Sequence, residues 1–139
     1  MIFLVSHCSW TYFHFPSHRR YQDAEILFQE VVNLLSKAYD GVHPDIAVAL
    51  GNMAICLRNT FQYARAIPLH ERAVKVVSAV LSKDSPESMY QKAELGVTLI
   101  RSGDRNRGQP ILMDALAQME KLGFSSNHLW VKTFRMEIP

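Results

Sequence analysis

The feature that most limits what this chain can become is that it repeats itself at an offset of 42 residues, the separation of Tyr21 from Tyr63. Ala24 returns as Ala66, and Gly108 falls one period later. Pro44 returns as Pro86 and Pro68 as Pro110, while the acids Asp45 and Glu87 follow the first proline pair. Self-similarity at a fixed interval of this size means stacked copies of one supersecondary unit, so the unit has to be read before anything else.

Within a period the apolar residues follow the 3.6-residue rhythm of a helix with one buried face. One helix carries Ala24, Leu27, Phe28, Val31, Val32 and Leu35, answered by Ala66, Leu69, His70, Ala73, Val74 and Val77, then by Gly108, Ile111, Leu112, Ala115, Leu116 and Met119. His70 alone interrupts the stripe and reads as a half-exposed neighbour of the core. The helix before it carries Leu50, Met53, Ala54 and Leu57, answered by Lys92, Leu95, Gly96 and Leu99. Small residues at Ala54 and Ala66, and again at Gly96 and Gly108, predict that the two helices of each hairpin interlock at close range. Enlarging Ala54 or Ala66 to Leu should then overpack the contact and cost about 1–3 kcal/mol.

Boundary signals agree. Pro44 and Pro86 suit a first helical position, where a missing N–H costs nothing, and Asp45 and Glu87 favour the positive helix end. Asn59-Thr60 and Ser102-Gly103-Asp104 supply turns between paired helices. Pro68 and Pro110 fall early in the second helix, so a kink or delayed start is expected rather than a break. The expected fold is all-α, an α-solenoid of antiparallel helical hairpins. Residues 1–20 form an irregular N-terminal segment or improvised cap, and 21–42 hold the second helix of an incomplete first repeat. Full repeats span 43–83 and 84–124, and a capping helix lies within 125–139, started by Ser126-Asn127, with Trp130 and Phe134 turned into the preceding hairpin.

Composition narrows function. The formal charge is +2, with 20% charged and 48% apolar residues, so the chain should fold and has no field that steers it toward nucleic acid. Arg101, Arg105 and Arg107 cluster around one turn, where solvation of the turn is preferred to RNA contact. Of two cysteines, Cys56 sits in an apolar helical pattern as a reduced, buried thiol. No uncharged run reaches the roughly 20 residues of a membrane span, the N-terminus lacks the basic start and cleavage site of a signal peptide, and a cytoplasmic location is the default. No phosphate loop, paired-cysteine motif or nucleophile elbow is present, so no enzyme, catalytic residue or cofactor is read. His7, Cys8, His14 and His18 include metal-ligand types, but their spacing fits no standard zinc site and no metal is assigned.

With these residues in view, the chain resembles the tetratricopeptide repeat family, in its 42-residue kinesin light chain-like branch. His43-Pro44-Asp45-Ile46-Ala47-Val48-Ala49-Leu50-Gly51-Asn52-Met53-Ala54 resembles that branch's H-P-D-V-A-x-x-L-N-N-L-A, and Ala66-Ile67-Pro68-Leu69-His70-Glu71-Arg72-Ala73-Val74 resembles A-x-P-L-x-x-R-A-L. The resemblance implies a protein-protein interaction module, a scaffold or adaptor whose stacked first helices present a concave groove to a peptide or helix of a partner. From the helix register, the groove stripe carries Val48, Asn52, Ile55 and Asn59, then Tyr90, Glu94, Val97 and Arg101. Asn52, Ile55, Asn59, Tyr90, Glu94 and Arg101 are the expected peptide-binding residues: an amide for backbone bonding, an aromatic anchor and a charge of each sign. Gly51 replaces the first Asn of the family pattern, which weakens any carry-over of peptide-backbone binding to that position. Tyr90 and Glu94 occupy two positions where the family's carboxylate clamp calls for basic residues, so the resemblance does not extend to that ligand class.

The alternative is a structural fragment, a truncated or alternatively spliced product of a larger repeat protein, that associates through exposed solenoid ends with another copy or with the rest of the array. One period before the best first helix the chain reads Leu4-Val5-Ser6-His7-Cys8-Ser9-Trp10-Thr11-Tyr12-Phe13-His14-Phe15-Pro16, without Asp, Glu, Lys or Arg before Arg19. That is not the family's helix, which motivates both the improvised-cap and the fragment readings.

Overall fold

The computed structural model describes residues 18–138, and among them the chain forms six α-helices and no strand. They are α1 (His18–Ala38), α2 (Pro44–Asn59), α3 (Tyr63–Val80), α4 (Pro86–Arg101), α5 (Arg105–Lys121) and α6 (Leu129–Arg135). Each helix packs on the next, with α2–α3 and α4–α5 as the two hairpins, and α2 also touches α4. This is a tetratricopeptide-like helical solenoid, as the period predicts. The metal-type group of His7, Cys8, His14 and His18 lies outside the described side chains, as does most of the expected N-terminal cap.

Helix starts follow the sequence signals with one substitution of agent. Pro44 and Pro86 open α2 and α4, and Ser85 caps α4 by accepting from Ser88 N–H at 3.2 Å. Histidine does the same work elsewhere: His43 Nδ1 accepts from Asp45 N–H at 3.1 Å, and His128 Nδ1 from Trp130 N–H at 3.2 Å. The cap of α6 is therefore His128 rather than Ser126-Asn127, because its ring nitrogen reaches the orphan donors of the first turn. Pro68 and Pro110 lie inside α3 and α5, which run through them from Tyr63 and Arg105 without a delayed start. Each is the sixth residue of its helix, past the four N–H groups that lack partners, so each forfeits one intrahelical bond, to the Ala64 or the Asn106 carbonyl, without ending the helix.

The hairpins close where the small residues are. Ala54, Leu57 and Ala66 form a dry contact between α2 and α3 with Leu69 against it. The second hairpin comes closer still. A Cβ at Gly108 would stand 2.7 Å from the Gly96 carbonyl oxygen, and one at Gly96 would stand 2.9 Å from the Leu112 backbone nitrogen. Only hydrogen at Cα permits that approach. The turns also correspond: Phe61 and Gly103, one period apart, both take the left-handed conformation, at φ 60° and 98°. Glycine adopts it without penalty, whereas Phe61 adopts it strained and exposed.

The apolar core divides along the array. Val32 of α1 joins Ile46, Ala47, Ala49, Leu50, Met53, Ala73 and Val77 in one cluster. Met89, Ala93 and Val97 of α4 join Leu112, Ala115, Leu116 and Met119 of α5 and Val131 and Phe134 of α6 in another. Here α6 packs on the α4–α5 hairpin, with Phe134 buried in the cluster and Trp130 packed against it, as their spacing predicts. Two residues depart from the stripe. Leu27 is 61% exposed, since among the described residues no helix covers its flank of α1. His70 is fully buried instead of half-exposed, because it takes the helical position of Leu112 and the stripe buries whatever stands there.

Candidate interaction face

The stripe expected to line a groove lies on α2 and α4, the two first helices, which sit side by side. What separates them is polar. Arg58 of α2 donates to Glu94 Oε2 of α4 at 2.7 Å and to Thr98 Oγ1 at 3.2 Å, and both charged side chains are only 6% exposed. Thr98 Oγ1 donates to the Glu94 carbonyl, and Tyr90 donates its hydroxyl proton to Glu94 Oε1 at 3.0 Å. A buried carboxylate is thus held by a guanidinium and a phenol. Removing either charged partner leaves the other buried without its counter-ion, and removing the phenol costs the carboxylate one hydrogen bond.

Gly51 belongs to the same seam. A Cβ there would meet Gln91 Oε1 at 2.5 Å, so the residue that departs from the family's Asn makes room for the amide of α4. Gln91 is buried between the helices.

The six expected residues fall into two groups. Asn52, Ile55 and Glu94 are buried, and the ion pair takes up the Glu94 carboxylate. Asn59, Tyr90 and Arg101 are partly exposed, as is Val48 at the far end of the α2 stripe. Tyr90 sits against α6, its ring centroid 4.8 Å from that of Trp130 and 5.6 Å from that of Phe134. Arg101 reaches past α6 to Glu137, with Nε donating to Oε2 at 3.0 Å. The second half of the stripe is therefore shared with the C-terminal helix. Sequence reading missed Arg58, Gln91 and Thr98, which meet the neighbouring first helix across the seam.

Two of the three arginines around the α4–α5 turn are drawn apart by their partners. Arg101 turns to Glu137, and Arg107 pairs with Asp104 at 3.4 Å and with Glu71 of α3 at 3.3 Å.

Two titratable groups are perturbed by the core beside this face. Burial pushes the Cys56 thiol up to about 12, and the Glu25 carboxylate adds to the effect. The thiolate that would act as nucleophile or ligand is thereby disfavoured. Burial also lowers the His70 imidazole well below its usual range, with the Arg58 guanidinium adding to it. Neither ring nitrogen has a hydrogen-bond partner among the described residues. Among those residues no group of His, Cys, Asp and Glu is arranged to hold a metal ion.

Residues 18–79 match the family model of the tetratricopeptide repeat, which places the family's signature on α1, α2 and α3. The α4–α5 hairpin continues the same geometry one period beyond the matched span. A comparison with curated proteins gave no match. Tetratricopeptide repeats are non-enzymatic scaffolds that mediate protein-protein interactions. No helix among the described residues is long and apolar enough to cross a membrane.

Proposed function

We propose that this chain is a scaffold or adaptor that presents the α2–α4 face to a peptide or short helix of a partner protein, in the manner of kinesin light chain-like repeats of the cytoplasm. The observation that carries the reading is the side-by-side placement of two first helices within a segment that matches a protein-binding repeat family. On this reading Val48, Asn59, Tyr90 and Arg101 meet the ligand. Asn52, Ile55 and Glu94 lie beneath them and set the floor. A mixed surface of amide, aromatic ring and guanidinium suits an extended peptide better than a purely apolar helix.

The test is a peptide array probed with the labelled full chain, followed by titration of the strongest peptide against wild type and a Val48→Asp, Asn59→Ala double variant. Both positions are partly exposed, so the variant should melt as wild type does. Binding should weaken by about tenfold or more, the loss of 1.4 kcal/mol. Unchanged affinity in the variant would remove this face from the function.

A second reading, a structural segment that associates through its solenoid ends, is favoured by the apolar side chains left exposed on α1, Ile26, Leu27 and Leu34. Sedimentation across a concentration range separates the two, since end-to-end pairing gives dimers by mass action.

A further inference from the structure

The period makes α1 and α3 equivalent helices, and their surroundings differ on one flank. Leu69 and Val76 of α3 pack against the clusters that α2 builds with Ile46, Leu50, Ala54 and Leu57. One period earlier the same positions are Leu27 and Leu34 of α1, which are 61% and 68% exposed, with Ile26 beside them at 59%. Seven residues apart, Leu27 and Leu34 lie on one face two turns from each other, and three large apolar side chains in one patch carry a free-energy cost in water that covering them would remove.

The helix that covers this flank of α3 is α2, residues 44–59. Shifted back by one period, that slot falls on residues 2–17, which lead directly into the first residue of α1. Their chemistry suits an apolar seat. Before Arg19 there is no Asp, Glu, Lys or Arg, and the positions that answer Ile46, Ala47, Leu50, Ala54 and Leu57 are Leu4, Val5, Cys8, Tyr12 and Phe15. Tyr12 at the place of Ala54 is too large to interlock against Ala24 as Ala54 does against Ala66, so the fit requires cover without the close helix-to-helix approach.

We propose that the flank of α1 formed by Ile26, Leu27 and Leu34 is a docking surface for residues 2–17 of this same chain. The assignment does not depend on the groove reading. It covers the exposed flank of α1 from within the molecule.

The chain carries its own reporter. Cys56 is buried, so Cys8 is the thiol whose labelling by a disulfide reagent follows the docking. In the full chain at neutral pH, Cys8 should react at least about tenfold more slowly than in the same chain unfolded by denaturant, and independently of protein concentration. A Leu27→Glu, Leu34→Glu variant, altered only at exposed positions, should bring the rate back toward the unfolded one while far-ultraviolet circular dichroism retains the helices. Labelling of wild-type Cys8 at the unfolded rate would overturn the proposal. So would protection that the variant leaves intact, or protection that grows with concentration alongside a dimer in sedimentation, which would assign the flank to a second copy. The wild-type measurements alone can reject the assignment should the variant not fold.

Discussion

The α2–α3 and α4–α5 hairpins share one plan and fill it differently. The first closes on Ala54 and Ala66 and buries His70 at the third position of its stripe, whereas the second closes on Gly96 and Gly108 and buries Leu112 there. The glycine pair brings two backbones into contact, so the second hairpin gains closeness at the expense of helix propensity. The alanine pair retains propensity, and its hairpin carries the polar burden of His70 and Arg58. The period therefore repeats where a side chain points, not what it contributes. Position in the stripe decides burial, and the chemistry placed there decides whether burial stabilises.

Breaking the bond between the hairpins should cost the most. Glu94→Ala leaves Arg58 buried without its carboxylate and should cost about 3–5 kcal/mol in urea denaturation, whereas an Arg58→Met, Glu94→Met double variant should recover much of that loss. A single variant that melts like wild type would mean that the pair is hydrated and unimportant to the fold. Next comes the close approach itself. Gly108→Ala puts a methyl group 2.7 Å from the Gly96 carbonyl oxygen and should destabilise by about 1–3 kcal/mol, despite the roughly 1 kcal/mol of helix propensity gained. In the other hairpin Ala66→Gly should lose only about 1 kcal/mol, through propensity and a small void. Equal costs at the two sites would erase the distinction drawn between them.

The smallest effect is a gain. His70→Leu, which copies Leu112 into the first hairpin, removes two ring nitrogens that lack partners and should stabilise the chain at neutral pH by about 1 kcal/mol. It should also remove a pH dependence. Folding holds the His70 imidazole neutral, so below about pH 6.5, its ordinary value, the unfolded chain binds more protons than the folded one. Stability owing to this group is level on the alkaline side and falls as the pH drops from about 6.5 toward the lowered folded value. Thermal melts between pH 7.5 and about 5 should show wild type losing stability over the acid half and His70→Leu losing less. Parallel curves for the two proteins would show that His70 gains a partner on protonation.

Much of the architecture could be read from residues alone because its causes are local. Pro44 and Pro86 open helices because each follows a capping residue, His43 or Ser85, and precedes an acid, and small residues at Ala54, Ala66, Gly96 and Gly108 mark close approach through the period itself. The seam between α2 and α4 could not be read, since Arg58 meets Glu94 across two helices and the equivalent of Arg58 one period later is Ile100. No repeat comparison leads to that pair. Glu94 looked like a solvent-facing groove charge for the same reason. His70 reads as a half-exposed neighbour of the core because no second metal-type residue stands at helical spacing from it, yet its register alone buries it. The groove stripe itself was projected from helix geometry, which fixes direction but not how far a neighbouring helix such as α6 leans over it.

The Arg58–Glu94 bridge has one more consequence, in how the molecule comes apart. Linear arrays whose units touch only through apolar surfaces can lose an end unit and keep the remainder. Here the seam holds an ion pair, and detaching either hairpin parts Arg58 from Glu94 and returns both charges to water, so the pair resists separation only by the small surplus of its attraction over rehydration. Its geometry therefore fixes which turn of one helix meets which turn of the other more than it resists their parting.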